Sequence, residues 1–352
     1  MPPWKADTIY RHYKNERILS NSEIDKISSW ISSKYQMGER INKINVINGA
    51  TDLGKPDLVI KPKKPYILKP INEDDFITYI IPVDFGKDKY LRAIEIVPQN
   101  KRVVHHCRVD FELTDKYNHL LNSDGYVSTK DLQAIPFPTL KFIGDYVPGI
   151  SAYKYPQNMG VRLSRKMYMM INIHYSPVTK CEKDQTEVHL FFYKQDTVER
   201  DVINQSISLE KNTDAIRKYK IPADSLYTIS MTSIPIEYDI SIFSIQPHMH
   251  LFGKSIKVIA ITPSKDSIKL INITKWDFNW QEVYYFNTLI KIPKGSIFYA
   301  EAVYDNTVNN PKNPFIPPKT IYFNDEMKST NEMFEFYLQY VKYKNNDENV
   351  RY

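Results

Sequence analysis

The chain is short of the residues that mark most functional classes. Its 352 residues include two cysteines, Cys107 and Cys181. Two cysteines permit one internal disulfide at most and fix no compartment. Long apolar runs are missing: the longest, such as FITYIIPV at residues 76–83, are strand-sized and far below the ~20 residues that span a bilayer. The opening MPPWKAD has no basic n-region and no apolar h-region, so this chain shows no signal peptide. Lys and Arg (47) outnumber Asp and Glu (41), a formal +6. The basic residues are scattered as a solvated surface would be, not gathered into a stripe with interleaved aromatics, which argues against nucleic acid. Standard active-site signatures are absent too. There is no GxGxxG, GxSxG, HExxH, CxxC or CxxCH, and Gly253-Lys254 has His248 where a phosphate loop needs its first glycine.

What is present favours strands. The 26 Tyr and 16 Phe suit pleated sheets, and 22 Pro against 10 Gly suit rigid loops between short strands. From about residue 66 the chain runs through short segments rich in β-branched and aromatic residues, such as RVVHHCRVDFEL, RKMYMMINIHYSP, GSIFYAEAVYDN and EMFEFYLQYVKY, each bounded by turn residues. No strand–helix alternation appears, which excludes a doubly wound sheet. The expectation is all-β: two antiparallel β-sandwiches in tandem, with a seam near residues 207–225. Before them, residues 19–34 read as a helix with Ser22 as N-cap and Asp25 in capping-box position. Its Ile24, Ile27, Trp30 and Ile31 recur at helical spacing. The prolines of residues 54–70 read as an extended linker. The expected divisions are 1–60, 61–210 and 211–352.

Eight histidines carry the functional signal. In IQPHMHLFGK, His248 and His250 stand two apart, so on a strand both point to one face and can meet one metal ion. Pro247 marks a strand end or edge, where a site can be open. The plainer alternative is a pair of hydrogen-bonded surface groups. His105 and His106 are adjacent, so they reach one ion only at a bulge, at a strand end or through different ring nitrogens. His174 ends a strand before a Ser-Pro turn, a place where a lone histidine is more often structural. His12, His119 and His189 sit in a charged run, a polar loop and a strand, and are not expected to bind metal. Cys107 reads as a small buried residue or a disulfide half before a soft-metal ligand. Met327, in the polar turn NDEM, is unusual, since methionine normally fills core gaps; a thioether beside histidine points to copper rather than zinc.

Taken in order, HH, HY, HxH followed by Gly-Lys, and DEM before the last strand resemble the copper type II, ascorbate-dependent monooxygenases, including peptidylglycine α-hydroxylating monooxygenase and dopamine β-monooxygenase. Bacterial relatives share stretches like PHMHLFGK, DFNWQ (277–281), YDN with its NPKNP loop (304–314) and NDEM (324–327). The resemblance spans roughly residues 66–345. It implies two jelly-roll-like sandwiches facing each other across a cleft, and two coppers. His105, His106 and His174 would hold an electron-relaying copper. His248, His250 and Met327 would hold the catalytic copper, where O2 reacts beside the substrate. Ascorbate or a similar reductant would restore both, and the protein would work outside the cytoplasm, as a periplasmic or secreted protein.

Departures bear on substrate. The peptide-amidating members have an arginine where this chain has Gln246, a tyrosine where it has Asn331 and a glutamine where it has Asn172, while Met333 is retained. A glycine-extended peptide is therefore not the expected substrate, and the sequence leaves the substrate open. MPPW resembles the axial-methionine segment of small cytochrome c modules that often precede bacterial members. Without CxxCH this chain binds no haem covalently, and the expectation is a truncated remnant of such an upstream partner module. Two other readings compete: a non-catalytic tandem module that binds copper or a partner, and a zinc hydrolase, which leaves Met327 unexplained.

Overall fold

The structure is a computed structural model that describes residues 4–14, 16–35, 37, 53–71, 73–113, 119, 125–128, 141–146, 152–194, 198, 200–209, 219–323 and 330–351. It is all-β, with one short α-helix near the N-terminus. Two pairs of sheets follow one another along the chain. In the first pair, a five-stranded sheet runs Tyr126–Ser128, Asp75–Asp84, Lys166–Tyr175, Val104–Glu112, Lys141–Tyr146. Opposite it lie Leu58–Ile60, Glu187–Phe192, Lys89–Val97, Met159–Leu163 and Arg200–Asp201, with Tyr153–Lys154 beside Lys89–Val97. The second pair has four strands in each sheet: Ile203–Ser208, Glu335–Lys342, Ile240–His248, Tyr284–Ile292, and Leu226–Thr232, Ile297–Asp305, Gly253–Ile261, Ser267–Ile273. Ile203–Ser208 thus pairs within the second sandwich.

Burial follows the side-chain period of a pleated strand. In Ile297–Asp305, Phe298, Ala300, Ala302 and Tyr304 are buried and their neighbours are not, which is the mark of a strand with one wet face. Ile240–His248 is buried at eight of its nine positions. One face, with Ile240, Ile242 and Ile245, lies in the core of its own sandwich. The other meets the first sandwich: Phe243, with Val283, Leu289 and Val341, joins the apolar cluster of the first pair of sheets.

The contact between the sandwiches is also polar. Arg108 pairs with Asp110 on its own strand and donates to the Tyr337 hydroxyl at 2.8 Å across the contact. Its guanidinium lies over the Phe142 and Tyr337 rings. Gln246 donates to the Asp145 carboxylate at 2.6 Å, and Asn204 to the Phe142 carbonyl at 2.7 Å. Tyr153 also donates to Asp145.

Two local expectations are corrected. The helix spans Asn21–Ser32 and its N-cap is Ser20, not Ser22. Glu23 at the third helical position is long enough to accept from the Ser20 backbone at 2.7 Å while its own N–H donates to the Ser20 hydroxyl; this reciprocal pairing places the helix start two residues earlier. The helix buries no residue, and Ile24, Ile27, Trp30 and Ile31 stand in solvent. The proline-rich linker contains two short strands, Leu58–Ile60 and Tyr66–Leu68, because Asp57–Ile60 and Tyr66–Leu68 reach free strand edges of Glu187–Phe192 and Glu182–Asp184. Proline suits such edges, where one side of the ladder needs no donor. Cys107 lies free in the first core and Cys181 is free and exposed. Among the described residues no helix is long and apolar enough to cross a membrane.

Burial raises the Asp145 carboxyl to about 6, with the bond from Gln246 opposing the shift. A raised carboxyl favours the folded state at low pH, and that contribution is lost as pH rises through about 6. In urea titrations the stability of the wild type relative to Asp145→Asn is expected to fall by about 3 kcal/mol or less between about pH 4 and about pH 7. Parallel pH profiles for the two proteins would show that Asp145 is not the buried titrating group.

Candidate metal centres

Adjacent residues of a flat strand point to opposite faces, yet His105 and His106 share one. The ladder between Val104–Glu112 and Lys166–Tyr175 explains it. His174 pairs with His106 and Tyr175 with Val104, so His105 is the extra residue of a β-bulge. The bulge re-aims its side chain beside that of His106. The cross-strand pair then adds His174. The Nδ1 of His106 lies 3.2 Å from the Nδ1 of His105 and 3.2 Å from the Nδ1 of His174. Among the described residues this is the one group of three metal-ligating side chains whose donor atoms lie within 4.8 Å of one another.

The donor set fits a metal ion. Two imidazole nitrogens at about 2.0 Å from one ion, at a near-tetrahedral angle, stand roughly 3.3 Å apart. Such an ion needs neutral rings. Burial, then the neighbouring His174, His105, His248 and His250, push His106 well below the usual imidazole range. Burial also lowers His105, with His174 adding to it and Asp74 opposing it. The Nε2 of His174 faces Asp74 at 3.0 Å, and that contact holds the Asp74 carboxyl below its ordinary range. A carboxylate on the remote nitrogen fixes which nitrogen keeps its lone pair. Phe76 stacks on the His174 ring at 4.1 Å.

His248 and His250 lie where the strand Ile240–His248 ends and a turn begins, their ring centroids 5.1 Å apart. Each has its Nδ1 engaged: His248 with the Gln281 side-chain oxygen at 2.6 Å, His250 with the Asn331 carbonyl at 3.1 Å. An N–H donated to oxygen leaves Nε2 as the lone-pair nitrogen of both rings, the same orienting device as at His174. The first cluster therefore gathers Nδ1 atoms and the second pair presents Nε2 atoms.

The turn itself is pinned by Glu332. Its buried carboxylate accepts from the backbone of His250 at 2.9 Å, Phe252 at 2.7 Å and Met333 at 3.3 Å. Trp276 donates to the His250 carbonyl at 3.2 Å, and Gly253 faces it so closely that a Cβ would stand 2.7 Å from the indole. A backbone bridge joins Phe323 to Glu332. The remaining expected ligand, Met327, lies outside the described residues, between those bridged ends. Of the other histidines, His12 meets Glu16 at the surface, His119 is exposed, and His189 lies between Glu95 and Glu187. Asp74, Gln281 and Glu332 are the site residues that sequence reasoning missed, and Asn331, noted there only as a departure from the peptide-amidating members, holds His250 through its carbonyl. The only signals were the acidic run Glu73-Asp74-Asp75 and the polar end of DFNWQ.

Residues 207–350 match the family model described as copper type II ascorbate-dependent monooxygenase, C-terminal domain. Over these residues the chain is similar to that family's C-terminal domain. The matched residues include His248, His250 and Met327, and the three-histidine cluster lies before them. No protein of curated function matches the chain. Solved structures align only distantly. The major capsid protein P2 of bacteriophage PM2 is 6% identical, with a TM-score of 0.30 over 82% of this chain and 99% of that one. The PBSX exported protein XepA is 10% identical, with a TM-score of 0.22 over 70% and 86%. The VP2 subviral particle of infectious bursal disease virus is 8% identical, with a TM-score of 0.22 over 84% and 74%. Likenesses this low carry no argument about fold or function.

Glu332→Ala strands three backbone donors of a buried turn, a loss of about 3–5 kcal/mol by the scale for uncompensated buried groups. Urea unfolding of the metal-free protein is expected to show it, together with weaker metal binding at His248 and His250. A change under about 1 kcal/mol would mean that water replaces the carboxylate and that the turn does not depend on it.

Proposed function

We propose that the chain is a copper-dependent monooxygenase that hydroxylates a C–H bond with O2 and an ascorbate-type reductant, and that it works outside the cytoplasm. One copper would sit on His105, His106 and His174, the other on His248, His250 and Met327. The observation that carries this reading is the convergence of three imidazoles whose donor nitrogens lie within 4.8 Å of one another, beside a histidine pair in the segment that matches the copper monooxygenase family model. Two coppers would supply the two one-electron equivalents that O2-dependent hydroxylation draws from the protein.

The chain's own residues prepare those sites. Burial keeps His105 and His106 neutral, the form that ligates. Asp74, Gln281 and the Asn331 carbonyl set the tautomers, so that no ring has to turn to accept an ion. The bulge at His105 and the bridge at Glu332 set these groups on rigid backbone. Gln246 speaks to substrate. Its amide is buried and committed to Asp145, so the position that holds an arginine in peptide-amidating members presents no cation to a peptide carboxylate. The reading favours a substrate without that terminal group.

Elemental analysis after copper reconstitution and dialysis is the test. Two coppers per chain are expected, one fewer in His106→Ala, and an unchanged count in His189→Ala. Met327→Ile should keep the fold by circular dichroism and lose ascorbate-dependent hydroxylation across a panel of small C–H donors. One copper or none in the wild type would remove the monooxygenase reading and leave a binding module. Full activity of Met327→Ile would remove that methionine from the second site.

A further inference from the structure

The loop at residues 277–282 touches both groups of histidines. The Phe278 ring stacks on His105 of the first sandwich at 5.8 Å and 30°, and meets the edge of His250 of the second at 5.6 Å. Asn279 hydrogen-bonds His105, and Gln281 holds His248. A core-filling phenylalanine would be buried among aliphatic groups, whereas Phe278 is half-buried and has imidazoles from two sandwiches on its faces.

The loop is a compact turn. Trp280 N–H donates to the Asp277 carbonyl at 3.0 Å, Asn279 N–H to the Asp277 side chain at 3.2 Å, and the Gln281 amide to the Phe278 carbonyl at 3.0 Å. Its two ends are tied to the N-terminal segment. Lys5 pairs with Asp277 at 3.2 Å and Arg17 with the buried Glu282 at 3.3 Å, the Arg17 guanidinium also lying over Trp280. Between those ties the segment is bound to the second sandwich. Ala6 bridges Ile273, Tyr13 bridges Phe286, the Tyr13 hydroxyl donates to the Leu270 carbonyl at 2.8 Å, and Trp4 packs on Tyr13 and Tyr284. The segment is a strap whose fixed points are the two ends of the loop.

We propose that Phe278 is a positioning residue, the spacer that fixes the separation and mutual orientation of the three-histidine cluster and the His248–His250 pair, and that the N-terminal strap holds this spacer in place. The role in copper chemistry rests on the two-site reading above; the spacing of the histidines does not. A ring between two metal centres fixes their distance by contact, which a side chain without a ring does over a wider range of positions.

Two measurements on the full chain test this. In the metal-free protein labelled with 15N-histidine, Phe278→Ala should shift and broaden the ring signals of both His105 and His250 and leave His189 in place. In the Cu(II)-loaded protein, dipolar broadening in the electron paramagnetic resonance spectrum gives the inter-copper distance. Phe278→Ala should spread that distance, Phe278→Tyr should restore it, and Lys5→Ala with Arg17→Ala should spread it as Phe278→Ala does. Phe278→Leu keeps the volume without the ring and serves where the alanine variant fails to fold. Histidine signals that move at only one cluster, or an inter-copper distance unchanged in Phe278→Ala and Phe278→Leu, would overturn the spacer. Fewer than two Cu(II) per chain would count against the monooxygenase reading alone, since the metal-free histidine signals still decide the spacer.

Discussion

A strand cannot place two neighbouring side chains on one face unless its ladder gives up a pairing. The bulge at His105 is that concession, and the three-histidine cluster depends on it. Without it, one of the two rings would point with Cys107 into the core of the first sandwich, and His174 would meet a single partner. The strands Lys166–Tyr175 and Asp75–Asp84 pair without interruption over ten residues, so the concession falls at one end of the neighbouring strand in a rigid sheet. Local irregularity on a stiff frame is how a sheet aims side chains without losing its register.

The histidine rings of both candidate sites are oriented through their remote nitrogens. At the first cluster a carboxylate, Asp74, stands behind His174; at the second pair an amide oxygen and a backbone carbonyl stand behind His248 and His250. Each contact costs little in a folded protein and decides a tautomer that would otherwise be free to change. The two sets of histidines end with opposite nitrogens presented. The first cluster gathers Nδ1 atoms, and the pair presents Nε2 atoms.

The sequence made the all-β class and the histidines legible because both signals are local. Alternation within nine residues shows a strand, and two positions of spacing show a shared face. The possibility that His105 and His106 meet at a bulge followed from the same rule. What could not be read is what pairing creates. Gln281 is 33 residues from His248, and Glu332 is 82 from the His250 it supports. Nothing local marks Glu332, and Gln281 carries only its place at the end of DFNWQ. The helix cap moved for a different reason: Ser20–Glu23 and Ser22–Asp25 both fit a capping pattern by spacing, and only the longer glutamate reaches back to the cap backbone. The prolines of residues 54–70 suggested a linker because proline marks both linkers and strand edges, and the choice belongs to whatever edge lies in reach.

Alternation along two central strands also links the sites to the contact between sandwiches. On Val104–Glu112, His106 is followed on the same face by Arg108 and Asp110. On Ile240–His248, His248 is preceded on its face by Gln246 and Ser244. Arg108 meets Tyr337 and Gln246 meets Asp145 across the contact, while Ser244 meets Gln339 of the neighbouring strand in its own sheet. An apolar contact of the same area would bind as strongly, yet would do so over several lateral alignments, because burial has no direction. Directional bonds between buried groups single out one alignment, since any slip leaves a charge or amide without its partner. The histidines are further rungs on those same strands, so the alignment that satisfies Arg108 and Asp145 is also the one that brings His106 and His248 to the same end of the facing sheets.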